Sequence, residues 1–160
     1  MEQQEIVAKI VLDNWFNTVS NTNKLLNSIT DEQLQADVAP GRNSGIYLLG
    51  HLTAVHDRML PLLGFEDQAY PHYNEIFLTS PDKSGKEMPT ASELRTQWNE
   101  TNAKLEQHYK SLKPSEWFQR HTSVSEADFE KEPHRNRLNI VIGRTTHLSN
   151  HLGQMLFLNK

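Results

Sequence analysis

Four long stretches of the chain carry apolar residues at every third or fourth position, a spacing that predicts amphipathic helices. The first stretch covers residues 3–29 and contains neither glycine nor proline. Asparagine and threonine fill its middle and lower the helix propensity, so tertiary packing must hold that part. A capping-box pattern at residues 30–33 predicts one further helical turn before Pro40 and Gly41. The apolar positions of the first helix are Ile6, Val7, Ile10, Val11, Trp15, Val19, Leu25, Leu26 and Ile29.

The second stretch predicts a helix that Asn43 or Ser44 caps and that ends near residue 63. Its apolar stripe consists of Leu48, Leu52, Val55, Met59, Leu62 and Leu63. His51 and His56 lie about 70° to either side of the centre of this stripe. Helical phase therefore does not choose between the two histidines.

Residues 65–89 form a long connection with little periodicity, interrupted by prolines and a glycine. Tyr70, His72, Tyr73 and Phe77 give this linker enough aromatic surface to pack rather than stay in solvent. We expect it to lie across one end of the helices, because long loops in compact domains are often functional.

Two further long helices are predicted after this linker. The third begins at the capping box of residues 90–93, and its inward positions are Leu94, Trp98, Thr101, Leu105, His108 or Tyr109, and Leu112. Residues 114–118 and 125–132 predict short helical turns before Pro133. The last helix covers about residues 135–158. Its apolar stripe consists of Leu138, Val141, Ile142, Thr145, Leu148, Leu152 and Met155.

These elements predict an all-α protein, a four-helix bundle in a single domain of residues 1–160. The net charge of −4 is dispersed and gives no basic stripe, which argues against a nucleic-acid partner. The chain has no cysteine, so metal ligands must be nitrogen or oxygen and any reacting thiol must come from a co-substrate. No apolar run is long enough for a membrane span and the acidic start lacks a signal pattern, so a cytoplasmic location is expected.

His147 and His151 border the apolar stripe of the last helix and stand four residues apart. This spacing places both imidazoles on one face, where they can converge on a single ion. A dedicated site needs a third ligand from a neighbouring helix.

Four parts of the chain carry a family likeness, namely Trp15 and residues 28–34, 40–52 and 146–154. Their order and spacing resemble the DinB/YfiT-like superfamily over nearly the whole chain. The resemblance implies a four-helix bundle with a long crossover linker between helices 2 and 3. It also implies one divalent metal held by three histidines, one from the second helix and two from the pair on the last helix. Position by position, the implied ligands are His51, His147 and His151.

Under this resemblance the remaining five histidines are not metal ligands. They are expected at the surface or in loops, and they are His56, His72, His108, His121 and His134. Only His72, from the linker, is considered as an added ligand. Tyr47, Arg144 and Gln154 are expected to line the pocket or support the ligands, with core-edge or surface positions as the alternative. No residue is identified as a catalytic acid or base.

Three neutral imidazoles suit zinc or nickel foremost, with iron or copper as alternatives, and leave positions open for water or substrate. A cation there can lower the pKa of water toward about 7 or bind a thiol as thiolate. The known reactions of the resembled family include thiol-dependent transfers and isomerisations. We therefore expect a metal-dependent hydrolase or thiol S-transferase that acts on a small molecule. The alternative is a non-catalytic metal-binding or stress-associated interaction protein.

The first helix has more apolar positions than one inward stripe requires, including Val7, Val11, Trp15 and Val19. Members of the resembled family are often homodimers formed by packing helices of two bundles. We therefore expect a homodimer in which some of these side chains face the partner. The alternative is that the long linker or residues 114–132 cover them within one chain.

Overall fold

A computed structural model gives the structure of the protein and describes residues 2–159. Within that range the chain is all-α, as expected, with two isolated bridges and no strand. The helices are α1 (Gln3–Ser28), α2 (Asp31–Gln35), α3 (Gly45–Leu62), α4 (Ala91–Ser111), α5 (Glu126–Lys131) and α6 (Arg137–Met155). Tight 3₁₀ turns cover Pro114–Phe118 and Leu156–Leu158, and a wider π-type turn covers Asn74–Thr79.

Side-chain caps begin each of the helices α2 to α6, whereas α1 begins without one. The side chain of Ser44 accepts a hydrogen bond from the backbone N–H of Tyr47 and begins α3. The capping boxes predicted for α2 and α4 are both present. α6 begins at Arg137, two residues later than predicted, because the side chain of Asn136 accepts the backbone N–H of Asn139.

α3 is covered by neighbours on several sides, and most of its side chains are buried. It packs along α4 and also contacts the π-type turn and α6, whereas α1 packs mainly against α6. α3 and α6 run antiparallel. His51, in the first half of α3, meets His147, in the second half of α6, and Gly64, just past the end of α3, lies beside Arg137 at the start of α6.

The interior consists of two groups of buried apolar side chains. One group surrounds the start of α3 and includes Phe77 and Trp98. The other surrounds the end of α3 and includes Trp15 and Trp117. All three tryptophans are therefore core residues, each 1% exposed.

The linker between α3 and α4 packs down on the helices, as expected. The buried carboxylate of Asp57 accepts the backbone N–H groups of Ala69 at 2.9 Å and Tyr70 at 2.8 Å, which anchors its first part to α3. Further along, the ring of Phe77 is fully buried. The helical turn at Asn74–Thr79 was not predicted, because the sequence there has no apolar period.

Apolar side chains at the start of α1 remain in solvent, with Ile6 44%, Val7 38% and Ile10 57% exposed. Trp15, which was named with Val7 for a partner-facing side, is instead buried in the core. No helix between residues 2 and 159 combines the length and the apolar character needed to cross a membrane.

Candidate metal centre

Three histidine side chains meet between α3 and α6. The Nε2 atom of His147 lies 3.0 Å from Nε2 of His51 and 3.2 Å from Nε2 of His151. Ligand atoms of all three lie within 4.8 Å of one another, and no other such group of metal-ligating side chains occurs in the described range. Each of the three side chains is half-buried. The structure thus brings together the three histidines that the resemblance selected.

Hydrogen bonds hold two of the rings from behind. Nδ1 of His51 donates to the carbonyl oxygen of Phe77 at 2.9 Å, and Nδ1 of His151 donates to Oε1 of Gln154 at 3.0 Å. Because both acceptors are oxygens without a proton, each Nδ1 carries the hydrogen and each Nε2 keeps its lone pair toward the cluster. Outer hydrogen bonds of this kind are typical of metal-ligating histidines.

The surroundings favour neutral imidazoles. Burial lowers the pKa of His51, against the smaller opposite effect of its bond to Phe77. Burial, with additional effects of His151 and His51, lowers the pKa of His147 to about 4. A neutral ring is the form that binds a metal, because a fully protonated imidazole has no free lone pair.

Three neutral imidazoles have too few N–H groups to give every ring nitrogen of the cluster a hydrogen bond. If the three rings are neutral, only His147 can place a hydrogen on Nε2, since the other two carry theirs on Nδ1. The Nδ1 atom of His147 is itself buried and has no hydrogen-bond partner within residues 2–159. One cation between the three Nε2 atoms would accept all three lone pairs.

The spacing of the three imidazole nitrogens also suits a cation. Nitrogens about 2.0–2.1 Å from a metal lie about 2.9–3.4 Å apart at octahedral or tetrahedral angles. The two Nε2 to Nε2 distances of 3.0 and 3.2 Å fall in this range. The residues present therefore fit a divalent metal ion.

The backbone carbonyl of Phe77 is a part of the site that sequence reasoning missed. It accepts the hydrogen bond of His51, and the hydroxyl of Tyr47 donates to it at 3.3 Å and to the carbonyl of Ser80 at 2.7 Å. Gly50 makes room for this arrangement, because a Cβ at that position would overlap with the Phe77 ring. A backbone carbonyl leaves no residue-type signal, but a glycine inside a helix next to a candidate ligand is a signal of close approach.

Comparison with known families agrees with this geometry. The profile of the family described as the DinB superfamily matches residues 17–155. The chain belongs to the DinB superfamily. None of the curated proteins compared matches it.

A solved structure has a similar fold to this DinB protein. It is described as the conserved protein of locus from Enterococcus faecalis, and the two chains share 15% sequence identity with a TM-score of 0.65. The similarity covers 99% of this chain and 96% of the other. At this identity the likeness concerns the fold alone.

In this DinB protein a cavity of about 610 Å³ borders the histidine cluster. Its volume is typical of small-molecule pockets, which measure about 300–1,000 Å³. The turn before α3 and the end of α6 form its walls, with the lining residues Val38, Ala39, Gly41, Arg42, Asn43, His151, Gln154 and Phe157.

The three residues expected to line the pocket or support ligands have different places. Gln154 bonds His151 and lines the cavity. Tyr47 is buried beside the Phe77 carbonyl, and burial, with a smaller effect of Asp82, raises the pKa of its hydroxyl. Arg144 is half-buried on α6, one turn before His147.

The expected position of His56, at the surface or in a loop, is wrong, because it lies inside α3. Its side chain is 0% exposed and lies between Trp15 and Trp98, with 4.8 Å between ring centroids on either side. Its Nδ1 atom lies 2.9 Å from Oδ1 of Asn102. The ring therefore contacts α1 and α4, while His51 turns toward α6. Helical phase could not predict this because α3 is buried on nearly all sides.

The remaining histidines lie outside the cluster. His72 is exposed and lines a different cavity, so the structure does not place it as an added ligand. His121 lies in the loop between the Pro114–Phe118 turn and α5, one of its two expected positions, and is buried there at 8% exposure. His108 pairs with Glu66 at 2.8 Å, and His134 is exposed.

Proposed function

We propose that this DinB protein binds one divalent metal ion per chain through His51, His147 and His151 and uses it in a reaction of a small molecule. The supporting observation is the convergence of three Nε2 atoms, two of them on rings held from behind by Phe77 and Gln154. Zinc and nickel are the first candidates and iron and copper the alternatives, because imidazole suits all four.

The reaction we propose is hydrolysis or the transfer of a thiol sulfur. A bound divalent cation supplies Lewis-acid chemistry, lowering the pKa of water toward about 7 or favouring a thiolate. The chain's own residues orient the three rings through the Phe77 carbonyl and the Gln154 amide and admit a small molecule through the adjacent cavity. Because the chain has no cysteine, a reacting thiol would be a second, low-molecular-weight substrate.

A non-catalytic metal-binding or stress-associated interaction protein is the second candidate. The observation that favours it is the composition of the cluster, which contains histidines and no carboxylate in the described range. A metal site without a nearby acid or base needs the substrate or solvent to handle protons.

Elemental analysis of protein produced without a histidine tag tests the metal site. We expect about one metal ion per chain in the wild type and loss of metal in a variant with alanine at His51, His147 and His151. A His134→Ala variant is the matched control, because this histidine is exposed and outside the cluster. Full occupancy in the triple variant would exclude the assignment.

A substrate screen separates the two candidate functions. It compares esters, amides and thiol-plus-electrophile pairs, each with metal-loaded protein and with protein treated with a chelator. Turnover that requires the metal and disappears in His147→Ala would exclude the non-catalytic candidate. Absence of turnover in every arm, with a folded and metal-loaded protein, would favour it.

We also propose that the four long helices form the DinB four-helix bundle, with residues 63–90 as its crossover linker. The packing of α3 with α4 and of α1 with α6 supports this topology.

We propose in addition that two chains form a homodimer through the start of α1. Ile6, Val7 and Ile10 form an exposed apolar surface there, and Ile142 of the adjacent α6 is 48% exposed. A two-fold axis needs one self-complementary patch of about 800 Å² per subunit, which a helix pair can supply.

A further inference from the structure

α3 has one line of side chains that solvent reaches. Of its residues, only His51, Arg58, Pro61 and Leu62 are not buried. His51 and Arg58 are seven residues apart, so they lie on the same face of the helix, about 10 Å apart along its axis. The accessible line of α3 therefore carries the histidine of the metal site and an arginine two turns away.

α6 has a corresponding half-exposed line. Arg144, His147, His151 and Gln154 follow one another at spacings of three, four and three residues and share one face. Arg144 lies one turn before His147, about 5 Å along the axis.

The antiparallel contact between the two helices aligns these lines. Two contacts fix the alignment. His51 of α3 meets His147 of α6, and Gly64, two residues past the end of α3, lies beside the side chain of Arg137 at the start of α6. Between these two contacts, moving one residue toward the C-terminus of α3 corresponds to moving about one residue toward the N-terminus of α6. Arg58, seven residues after His51, and Arg144, three residues before His147, therefore lie on the same side of the cluster. Arg58 lies about 6 Å farther along the groove, an offset that two long arginine side chains can span.

Neither guanidinium has an acidic partner among residues 2–159. α6 contains no aspartate or glutamate, and the single acid of α3, Asp57, is bound by backbone N–H groups of the linker. No ion pair found within residues 2–159 includes Arg58 or Arg144. Burial lowers the pKa of Arg144, and the neighbouring charge of Arg58 adds to this effect. Two like charges without a counter-charge disfavour the folded state unless an anion joins them.

We propose that Arg58 and Arg144 form an anion-binding subsite in the groove between α3 and α6, next to the three-histidine cluster. The ligand is an oxyanion group, a carboxylate or a phosphate, on a small molecule. Guanidinium groups bind both through paired N–H donors. The part that concerns the substrate rests on the metal-dependent function proposed above, whereas anion binding itself does not require the metal.

The subsite defines the class of substrate. Its anionic group would lie on the Arg144 side of the cluster, while the cavity lined by Arg42 and Phe157 borders the cluster at the His151 end. With Arg144 about one turn from His147, a few bonds separate the anionic group from the reacting atom. Small acids, amino-acid derivatives and phosphate esters have this form.

Calorimetric titration of metal-free protein with inorganic phosphate and with succinate, at constant ionic strength set by chloride, tests the subsite. We expect saturable binding of one anion per chain. Arg144→Gln should weaken it about tenfold, and Arg58→Gln, whose side chain is exposed, about threefold. Tighter succinate than phosphate binding would identify a carboxylate ligand, and the reverse order a phosphate. No saturable binding of either anion would overturn the proposal.

Two further variants locate the effect. Lys24→Gln, the matched control, removes an exposed charge on α1 and should bind the anion as the wild type does. Arg42→Gln removes a charge from the cavity proposed to admit the substrate, so it tests the alternative that the anion binds there. Equal loss in Lys24→Gln, or loss in Arg42→Gln without loss in Arg144→Gln, would contradict the proposal. If Arg144→Gln fails to fold, Arg144→Lys keeps the charge without the paired donors and should show a partial loss.

Metal content, measured in the same proteins, separates this proposal from the preceding one. We expect Arg58→Gln and Arg144→Gln to keep the metal, because neither residue is a ligand in the cluster. A wild type that binds the anion but no metal would leave the subsite intact and remove its proposed connection to metal-dependent catalysis.

Discussion

His56 should make the stability of the protein depend on pH. Its ring is fully buried between two tryptophans, and burial lowers its pKa to about 3, although the bond to Asn102 opposes this effect. In an unfolded chain the pKa of a histidine is about 6.5. Between these values the unfolded chain binds a proton that the folded chain does not. The free energy of unfolding therefore falls as the pH falls from about 6.5 toward 3.

The size of the effect follows from the two pKa values. One pKa unit corresponds to about 1.4 kcal/mol, so the whole difference amounts to about 5 kcal/mol below pH 3. Relative to neutral pH, protonation at this position costs about 2 kcal/mol at pH 5 and about 3 kcal/mol at pH 4. These values are a large share of a typical unfolding free energy of about 5–15 kcal/mol.

Urea unfolding of metal-free wild type and His56→Gln between pH 7.5 and 4 measures this contribution. Glutamine can still donate to Asn102 but does not titrate. We expect the variant to be less stable at pH 7.5, because glutamine leaves space between the two tryptophans. The difference in unfolding free energy between wild type and variant should then be about 2 kcal/mol smaller at pH 5 than at pH 7.5. The unfolding free energy of His134→Gln, a change at an exposed site, should depend on pH as that of the wild type does.

Two results would refute this reasoning. One is a constant stability difference between wild type and His56→Gln across the whole pH range. The other is an NMR titration in which the Cε1–H resonance of His56 moves with a midpoint above about pH 5 while the protein is folded.

Three shorter predictions concern the site and the assembly. Gly50→Ala should lower the unfolding free energy by about 1–3 kcal/mol because its Cβ overlaps with the Phe77 ring, whereas Gly143→Ala, with open space at Cβ, should raise the melting temperature. Gln154→Leu should weaken metal binding about tenfold to a hundredfold in a metal titration, and Gln154→Glu, which keeps an acceptor for His151, should not. Light scattering should give about twice the chain mass of 18.5 kDa, and Ile10→Glu should lower it to one chain; a wild-type mass of one chain would contradict the dimer.

The helices were largely predictable because local rules determine them. Caps at Thr30, Ser44 and Thr90 bond as their sequences indicate, and the apolar period places the long helices within one or two residues of most observed ends. The start of α6 lies two residues later than predicted because Asn136 is a better cap than the residues before it. The π-type turn at Asn74–Thr79 depends on packing against α3, and such contacts leave no period in the sequence.

Side-chain surroundings were less predictable than helices. The choice between His51 and His56 depended on which neighbours cover α3, and periodicity holds no information on that. Trp15 and Trp98 enclose His56, while α6 presents two histidines to His51. The family resemblance supplied this choice, because it encodes the tertiary arrangement that the spacing of one helix does not.

The residues that line the groove between α3 and α6 indicate that this groove has a role other than stabilising the fold. A half-exposed line that served only packing would normally combine apolar stems with pairs of opposite charge. This groove instead holds three imidazoles with converging lone pairs. One to two turns away it holds two arginines that no acidic side chain of residues 2–159 pairs with. A cation would complete the first arrangement and an anion the second. A small molecule with an anionic group and a reactive centre near the metal would satisfy both, so we expect the two parts of the groove to act on the same substrate.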